Sequence, residues 1–215
     1  MSLPPLHIKV CGMRDHGNIA DLVALAPNYL GFIFFPGSSR FLGKDFQMPE
    51  IPHSIKKTGV FVNEELELVS EKVRQYGLNA VQLHGEETPA YCEDLKKDLT
   101  QIEVIKAFRI REELNTAQIQ SYAGPCDTFL FDTKGKLYGG TGKKFNWDLL
   151  KNYEGETPFF LSGGLGPDDL PLLQAFAHPA WKGIDLNSGF ETAPAFKDIE
   201  KLKTFISKSH AIHSK

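Results

Sequence analysis

Three side chains that could do chemistry, Cys11, His84 and Asp132, each follow a short apolar or aromatic run. A lone thiol is more often a small buried hydrophobe than a nucleophile or a base. A lone histidine or aspartate more often caps a helix or bonds to a loop. These three residues share one placement, however, and a thiol, an imidazole and a carboxyl group that converge from separate strands indicate a reaction site.

The elements that must position these side chains alternate along the chain. Short β-branched or aromatic runs predict strands at residues 7–10, 29–34, 58–62, 80–83, 104–108, 128–131, 159–161 and 183–186. Helical patterns predict helices at residues 17–26, 64–76, 88–99, 147–153, 167–177 and 195–207. Strands that alternate with helices imply parallel pairing in βαβ units. Eight such units in 215 residues predict an α/β fold, a single (β/α)₈ TIM-barrel domain over residues 1–215 with a short or degenerate helix after strand five.

Strand alternation brings the candidate side chains together. In a barrel, successive side chains point alternately to the interior and to the helices. If the apolar positions of the first strand face the helices, Lys9 and Cys11 point inward. The same argument turns Gln82 and His84 inward and places Asp132 at the barrel mouth. The three side chains would then meet at the carboxyl ends of the strands, where barrel enzymes place their chemistry.

Three glycine-bearing turns follow the last three predicted strands, at residues 139–142, 162–166 and 187–189. Glycine lets backbone N–H groups approach a ligand, and a helix N-terminus just beyond favours an anion, so such turns suit phosphate. Barrels often hold phosphate at the loops after strands seven and eight. No Walker-type lysine follows, which favours a phosphate monoester over a nucleoside triphosphate. The predicted phosphate ligands are Gly142, Gly163, Gly164, Ser188 and Gly189.

Arg40 lies in the loop after the second predicted strand. A lone surface arginine is in most cases a solvated charge. At this end of a barrel, a guanidinium could instead hold a carboxylate through two parallel hydrogen bonds. The turns and Arg40 would then hold an anionic small molecule at its two ends.

Composition and charge narrow the class of partner. The formal net charge of −3, with both signs interspersed, gives no basic face for nucleic acid. The 3 cysteines lie far apart, so neither a disulfide framework nor a zinc site is indicated, and a reducing cytosol fits. Residues 1–5 lack a signal-peptide pattern, and the longest apolar stretch, residues 29–35, is too short to span a bilayer. We expect a cytoplasmic protein that binds neither nucleic acid nor membrane.

The motifs together closely resemble one family. They are KVCGM (9–13), GFIF (31–34), SR (39–40), GVFVN (59–63), VQLHG (81–85), FDT (131–133), GGTGKKF (139–145), LSGGL (161–165) and DLNSGFE (185–191). In this order they resemble the phosphoribosylanthranilate isomerases of tryptophan biosynthesis, from residue 7 to about residue 205. The combination of Cys-Gly, Gln-Leu-His-Gly and Asp-x-x-Ser-Gly-x-Glu makes the resemblance specific.

The resemblance implies an eight-stranded barrel and an Amadori rearrangement of N-(5-phosphoribosyl)anthranilate to 1-(2-carboxyphenylamino)-1-deoxyribulose 5-phosphate. It implies no metal and no cofactor. By the same resemblance, Cys11 matches the general base and Asp132 the general acid, while Arg40 matches the residue that faces the anthranilate carboxylate. The three glycine turns match the phosphate site. We expect His84 and Asp185, in two of the matching motifs, to contact the substrate.

This chemistry sets requirements for both groups. The acid must hold its proton near neutral pH, and the apolar run before Asp132 suggests a poorly hydrated site that raises the pKa of its carboxyl group. The base must become a thiolate, and we expect the N-terminus of the first helix to favour that form of Cys11.

Other functions stay open on the residues alone. Among phosphosugar barrels, the isomerase of histidine biosynthesis is expected to have an acidic residue where Cys11 stands. Indole-glycerol phosphate synthase needs a catalytic lysine at a strand end, whereas Lys9 lies deeper and Lys106 is mid-strand. A non-catalytic phosphate-binding module would not need both Cys11 and Asp132, and a hydrolase pairing Cys11 with His84 matches no known signature. For the assembly we expect a monomer or a weak homodimer.

Overall fold

The computed structural model describes residues 6–110, 112–132 and 147–209. Eight parallel strands follow one another around a closed barrel in chain order, and the first pairs with the last. They are β1 (His7–Cys11), β2 (Tyr29–Ile33), β3 (Lys56–Phe61), β4 (Ala80–Leu83), β5 (Glu103–Arg109), β6 (Thr128–Asp132), β7 (Phe159–Ser162) and β8 (Trp181–Leu186). Every predicted strand is confirmed, with ends that move by at most two residues, and so is the (β/α)₈ barrel.

Helices cover the outside of the barrel. They are α1 (His16–Val23), α2 (Leu66–Tyr76), α3 (Pro89–Asp98), α4 (Thr116–Gln120), α5 (Leu170–Ala175) and α6 (Ile199–Ser209). Short 3₁₀ helices span Trp147–Asn152, Pro167–Asp169 and Ser188–Phe190. The helix after β5 has only 5 residues, which confirms the prediction of a short one. In the part of the chain that the structure describes, none of the helices has the length and apolar character needed to cross a membrane.

Proline explains two helices that are shorter than predicted. A residue before proline avoids the helical conformation, and Ala26, which precedes Pro27, has a φ of 49°; α1 accordingly ends at Val23. Pro171 lies in the first turn of α5, the place in a helix where its missing N–H costs nothing. The predicted helix over 167–177 is therefore a 3₁₀ turn followed by a short α-helix.

The predicted helix over 195–207 is wrong at its start. Residues 191–197 form a hairpin of two short antiparallel strands, β9 (Glu191–Ala193) and β10 (Phe196–Lys197). Ala195 turns the chain between them with a φ of 65°. The helix begins only after Asp198, whose carboxylate accepts a hydrogen bond from the Lys201 N–H at 3.0 Å, as an N-cap does.

Side-chain alternation divides the core into two layers, as predicted. The helix-facing layer includes Ile8, Val10, Val81, Leu83, Phe129 and Phe131. The barrel interior is filled by Tyr29, Ala80, Ile105, Ala107, Leu130 and Phe160. Above this plug, toward the carboxyl ends of the strands, Cys11 packs with Ile33 and Val60. Cys11 therefore forms part of the floor of the barrel mouth.

Candidate active site

A cavity of about 380 Å³ opens at the carboxyl ends of the barrel strands. The predicted site residues that line it are Cys11, Arg40, His84, Asp132, Gly163, Gly164, Asp185 and Ser188. Gly189 lies just outside the lining, and Gly142 lies outside the described residues. Residues that are 174 positions apart along the chain, Cys11 and Asp185, thus share one pocket.

Cys11 is fixed by close packing against the neighbouring strand. It pairs with Gly31 of β2, and a Cβ atom at that position would lie 2.7 Å from the Cys11 Sγ. Only glycine leaves room for the thiol there. The Cys11 side chain is 4% exposed, so its reach toward a ligand is set by the backbone rather than by rotamer freedom.

Buried charges surround the thiol. Burial raises the pKa of Cys11 above its ordinary value; the ammonium groups of Lys9 and Lys197 act against this rise, and the carboxylate of Asp185 adds to it. The first-helix N-terminus that we expected to favour the thiolate is capped by Asp15, which accepts from the Asn18 N–H at 2.8 Å. The positive charges that face the thiol are therefore the side chains of Lys9, Lys197 and Arg40.

His84 follows β4 and Asp132 ends β6, with one strand between them, and His84 Nε2 lies 3.5 Å from Asp132 Oδ2. The other ring nitrogen, Nδ1, lies 2.9 Å from the Gln82 Nε2. If the Gln82 amide donates there, the neutral ring carries its proton on Nε2, which faces Asp132. His84 therefore lies beside the Asp132 carboxyl group, a contact that its motif did not specify.

Arg40 is held by a carboxylate of this chain. Its Nε donates to both oxygens of Glu191, at 2.8 and 3.0 Å. Lys197 Nζ donates to the same carboxylate at 2.6 Å and to Asn187 Oδ1 at 2.8 Å. Burial alone would raise the pKa of Glu191, but the hydrogen bonds from Arg40 and Lys197 hold it below its ordinary value. The charges of Arg40, Lys197 and Glu191 sum to +1, and one ligand carboxylate would neutralise this remaining charge.

The turns after β7 and β8 present backbone amides to the cavity. Among the described residues, the N–H groups of Gly163, Gly164 and Ser188 find no acceptor. Gly163 and Gly164 have φ of 112° and 76°, a backbone conformation typical of anion-binding turns. A Cβ at Gly189 would lie 2.0 Å from the Leu165 carbonyl oxygen, so that glycine lets the two turns pack together.

Sequence reasoning missed Glu191 and Lys197 as parts of the site. Glu191 stood in the DLNSGFE motif without a role, and that motif was the available signal. Lys197 carried no signal, because its position depends on the hairpin that the helical pattern concealed. Gln82 was placed inward, but nothing indicated that its Oε1 would be buried without a partner among the described residues.

Comparisons with known proteins agree on one family. The model of the N-(5'-phosphoribosyl)anthranilate (PRA) isomerase family matches residues 8–208. The N-(5'-phosphoribosyl)anthranilate isomerase of Phocaeicola vulgatus is 49% identical over 202 residues, covering 94% of this chain and 96% of that protein. The crystal structure of phosphoribosyl anthranilate isomerase from Thermotoga maritima matches with a TM-score of 0.78 and 32% identity, over 96% of this chain and 99% of that one.

A further solved structure is informative about ligands. It is a phosphoribosyl anthranilate isomerase in complex with reduced 1-(o-carboxyphenylamino)-1-deoxyribulose 5-phosphate, with a TM-score of 0.75 and 28% identity over 96% of this chain and 99% of that one. Sequence and fold agree over nearly the whole length of the chain. This protein therefore belongs to the N-(5'-phosphoribosyl)anthranilate isomerase family.

Proposed function

We propose that this protein catalyses the Amadori rearrangement of N-(5-phosphoribosyl)anthranilate to 1-(2-carboxyphenylamino)-1-deoxyribulose 5-phosphate. The observation that carries the proposal is one cavity that holds both a thiol and a carboxyl group. Cys11 ends β1 and Asp132 ends β6, and in the closed barrel these strands are separated by two others on one side and four on the other. The two groups therefore approach a bound sugar from different sides.

Asp132 starts the reaction as general acid. Its proton goes to the furanose ring oxygen, the bond between that oxygen and C1 breaks, and the anthranilate nitrogen shares its lone pair with C1 to give a protonated Schiff base. The Cys11 thiolate then takes the proton from C2, and the C2–H electron pair forms an enolamine. Tautomerisation of the enolamine to the ketone completes the rearrangement. A positioned acid and a positioned base each contribute about 10²–10⁴-fold to such a rate.

The remaining groups hold the substrate so that its reacting atoms face Asp132 and Cys11. The amides after β7 and β8 bind the phosphate, and the guanidinium of Arg40 binds the anthranilate carboxylate. The apolar side chains of Ile33, Phe35 and Val60 line the wall of the cavity near Arg40, where an aromatic ring would lie. Anchoring a substrate at both ends lowers the entropic part of the barrier.

The carboxyl group of Asp185 and the ring of His84 complete the site. Asp185 lines the cavity beside Ser188, close enough for the sugar hydroxyls of a phosphate-anchored substrate. Both proton transfers are made by side chains, so the proposed reaction requires no metal or cofactor. We propose that the protein acts in the cytoplasm as a monomer or weak homodimer. Residues 1–215 would form its single domain.

Loss of phosphoribosylanthranilate fluorescence tests this function directly. Purified protein should consume the substrate, Cys11→Ser should lose most of kcat, because a hydroxyl is a poor base, and Asp132→Asn should lose it because an amide donates no proton to the ring oxygen. Both variants should still bind the reduced product analogue. Normal analogue binding without turnover in the wild type would support a binding module instead, and near-normal turnover in either variant would contradict the assigned roles.

A further inference from the structure

A lysine is buried inside the barrel directly beneath the thiol. Lys9 is 0% exposed and its Nζ donates to Asp185 Oδ1 at 2.8 Å. The second carboxylate oxygen accepts from Ser162 Oγ at 3.1 Å. Burying an ion pair costs desolvation that its attraction often fails to repay, so stability alone does not favour this arrangement. The pair needs another explanation.

The position of Lys9 supplies one. It precedes Cys11 by two residues on β1, so both side chains point into the barrel. Its ammonium acts on the thiol electrostatically, while the hydrogen bond to Asp185 keeps that ammonium in place. A fixed positive charge beside a thiol favours the thiolate.

We propose that Lys9 is a positioning residue that raises the thiolate fraction of Cys11, with Asp185 as the anchor that fixes the ammonium beneath the thiol. The proposal rests on the assigned role of Cys11 as general base. It gives the buried pair a part in proton transfer, although Lys9 itself does not line the cavity.

The other charges near the thiol do not replace Lys9. Among the described residues, the groups that face Cys11 are Lys9 on β1, Asp185 on β8, Lys197 on β10 and Arg40 in the β2–β3 loop, with His84, Arg109 and Asp132 lining the rest of the cavity. Lys197 and Arg40 are both engaged by the Glu191 carboxylate. Lys9, by contrast, stands two residues before Cys11 on the same strand.

Two variants should shift the titration midpoint of the Cys11 thiol in opposite directions. Lys9→Met removes the positive charge and keeps the side-chain volume, so the titration midpoint of Cys11 should rise by about one pH unit or more, which means about tenfold less thiolate at neutral pH. Asp185→Asn removes the negative charge that opposes ionisation and keeps an acceptor for Lys9, so the midpoint should fall. General loosening of the barrel would not produce shifts of opposite sign.

The experiment follows alkylation of the intact protein by iodoacetamide across a pH series, with the Cys11 peptide quantified by mass spectrometry. Lys106→Met is the matched control, because Lys106 forms a similarly buried ion pair, 2.9 Å from Glu87, on the outer side of β5. It should destabilise the fold and leave the Cys11 midpoint unchanged. An unchanged midpoint in Lys9→Met, or a midpoint that moves equally in Lys106→Met, overturns the proposal.

If Lys9→Met does not fold, Asp185→Asn decides alone, because an amide has nearly the shape of the carboxylate that it replaces and should be tolerated. A fall in its Cys11 midpoint supports the electrostatic coupling, and an unchanged or raised midpoint overturns it. Failure of the proposed function would look different: Cys11→Ser would stay active, whatever the alkylation series shows.

Discussion

A buried carboxylate at the amino end of the barrel offers a quantitative test of the fold. Glu103 begins β5, and its side chain is 10% exposed. It accepts hydrogen bonds from Lys182 at 2.6 Å, Lys56 at 2.7 Å, Thr128 Oγ1 at 2.8 Å and the Tyr29 hydroxyl at 3.0 Å. We predict that Glu103→Gln destabilises the protein without affecting turnover, since the cavity opens at the opposite end of the barrel.

The expected magnitude follows from the proton equilibrium of Glu103. Burial alone would raise its pKa, but Lys182 and Lys56 lower it from 4.5 to about 2. At about 1.4 kcal/mol per pKa unit, the ionised carboxylate contributes about 3 kcal/mol to the free energy of unfolding at neutral pH. Because the folded-state pKa lies below the unfolded one, this contribution is complete above about pH 4.5 and is lost as the pH falls toward about 2.

Urea denaturation of wild type and variant, at about pH 7 and about pH 3, measures this contribution. The difference in unfolding free energy should be about 3 kcal/mol at the higher pH and roughly half of that at the lower pH. Glu71→Gln serves as control, because Glu71 is 64% exposed and its loss should cost less than about 0.5 kcal/mol. A difference below about 1 kcal/mol at neutral pH, or one that does not change with pH, would refute the reasoning.

Four further predictions concern the cavity. Because burial raises the pKa of Cys11 and the thiolate is the proposed active form, kcat/KM should still be rising with pH above neutrality; a flat profile between about pH 6 and about pH 9 would contradict this. Arg40→Ala should raise KM at least about tenfold through the lost charge-assisted hydrogen bonds and leave the circular-dichroism spectrum intact, whereas an unchanged KM would show that another group holds the carboxylate. Glu191→Gln, which frees Arg40 from one partner, should raise KM and leave substrate analogues without the carboxylate unaffected. Inorganic phosphate should inhibit competitively by binding near Gly164 and Ser188, and a crystal structure with phosphate elsewhere would remove this assignment.

The parts of the fold that were predictable depend on local pattern. The apolar runs predicted the strands and also which of their side chains point into the barrel, because alternation along a strand is a local property. To place Cys11, His84 and Asp132 in one cavity required only this alternation and the parallel direction of the strands. Their roles as base and acid came from the family resemblance, and they stay predictions for the experiments above.

The parts that were not predictable depend on contacts between distant segments. The helical pattern at residues 195–207 fits an amphipathic helix equally well with or without its first turn, so the hairpin that places Lys197 was hidden. The partner of Arg40 could not be chosen from sequence, because a carboxylate 151 residues away has no local signal. The burial of Cys11, and with it the raised pKa, likewise arises only when β1 meets its neighbours in the closed barrel.

The separation of these partners has a consequence for synthesis of the protein. Lys9 meets Asp185 across 176 residues, and Asn18 of α1 donates to the Lys197 carbonyl across 179. Such distant contacts cannot form until β8 and β10 have left the ribosome. The nascent chain can build strands and helices early, but its thiol has no charged neighbours from β8 or β10 until Asp185 and Lys197 have emerged. Nascent chains that end before β8 should therefore be inactive, because the barrel cannot close without that strand.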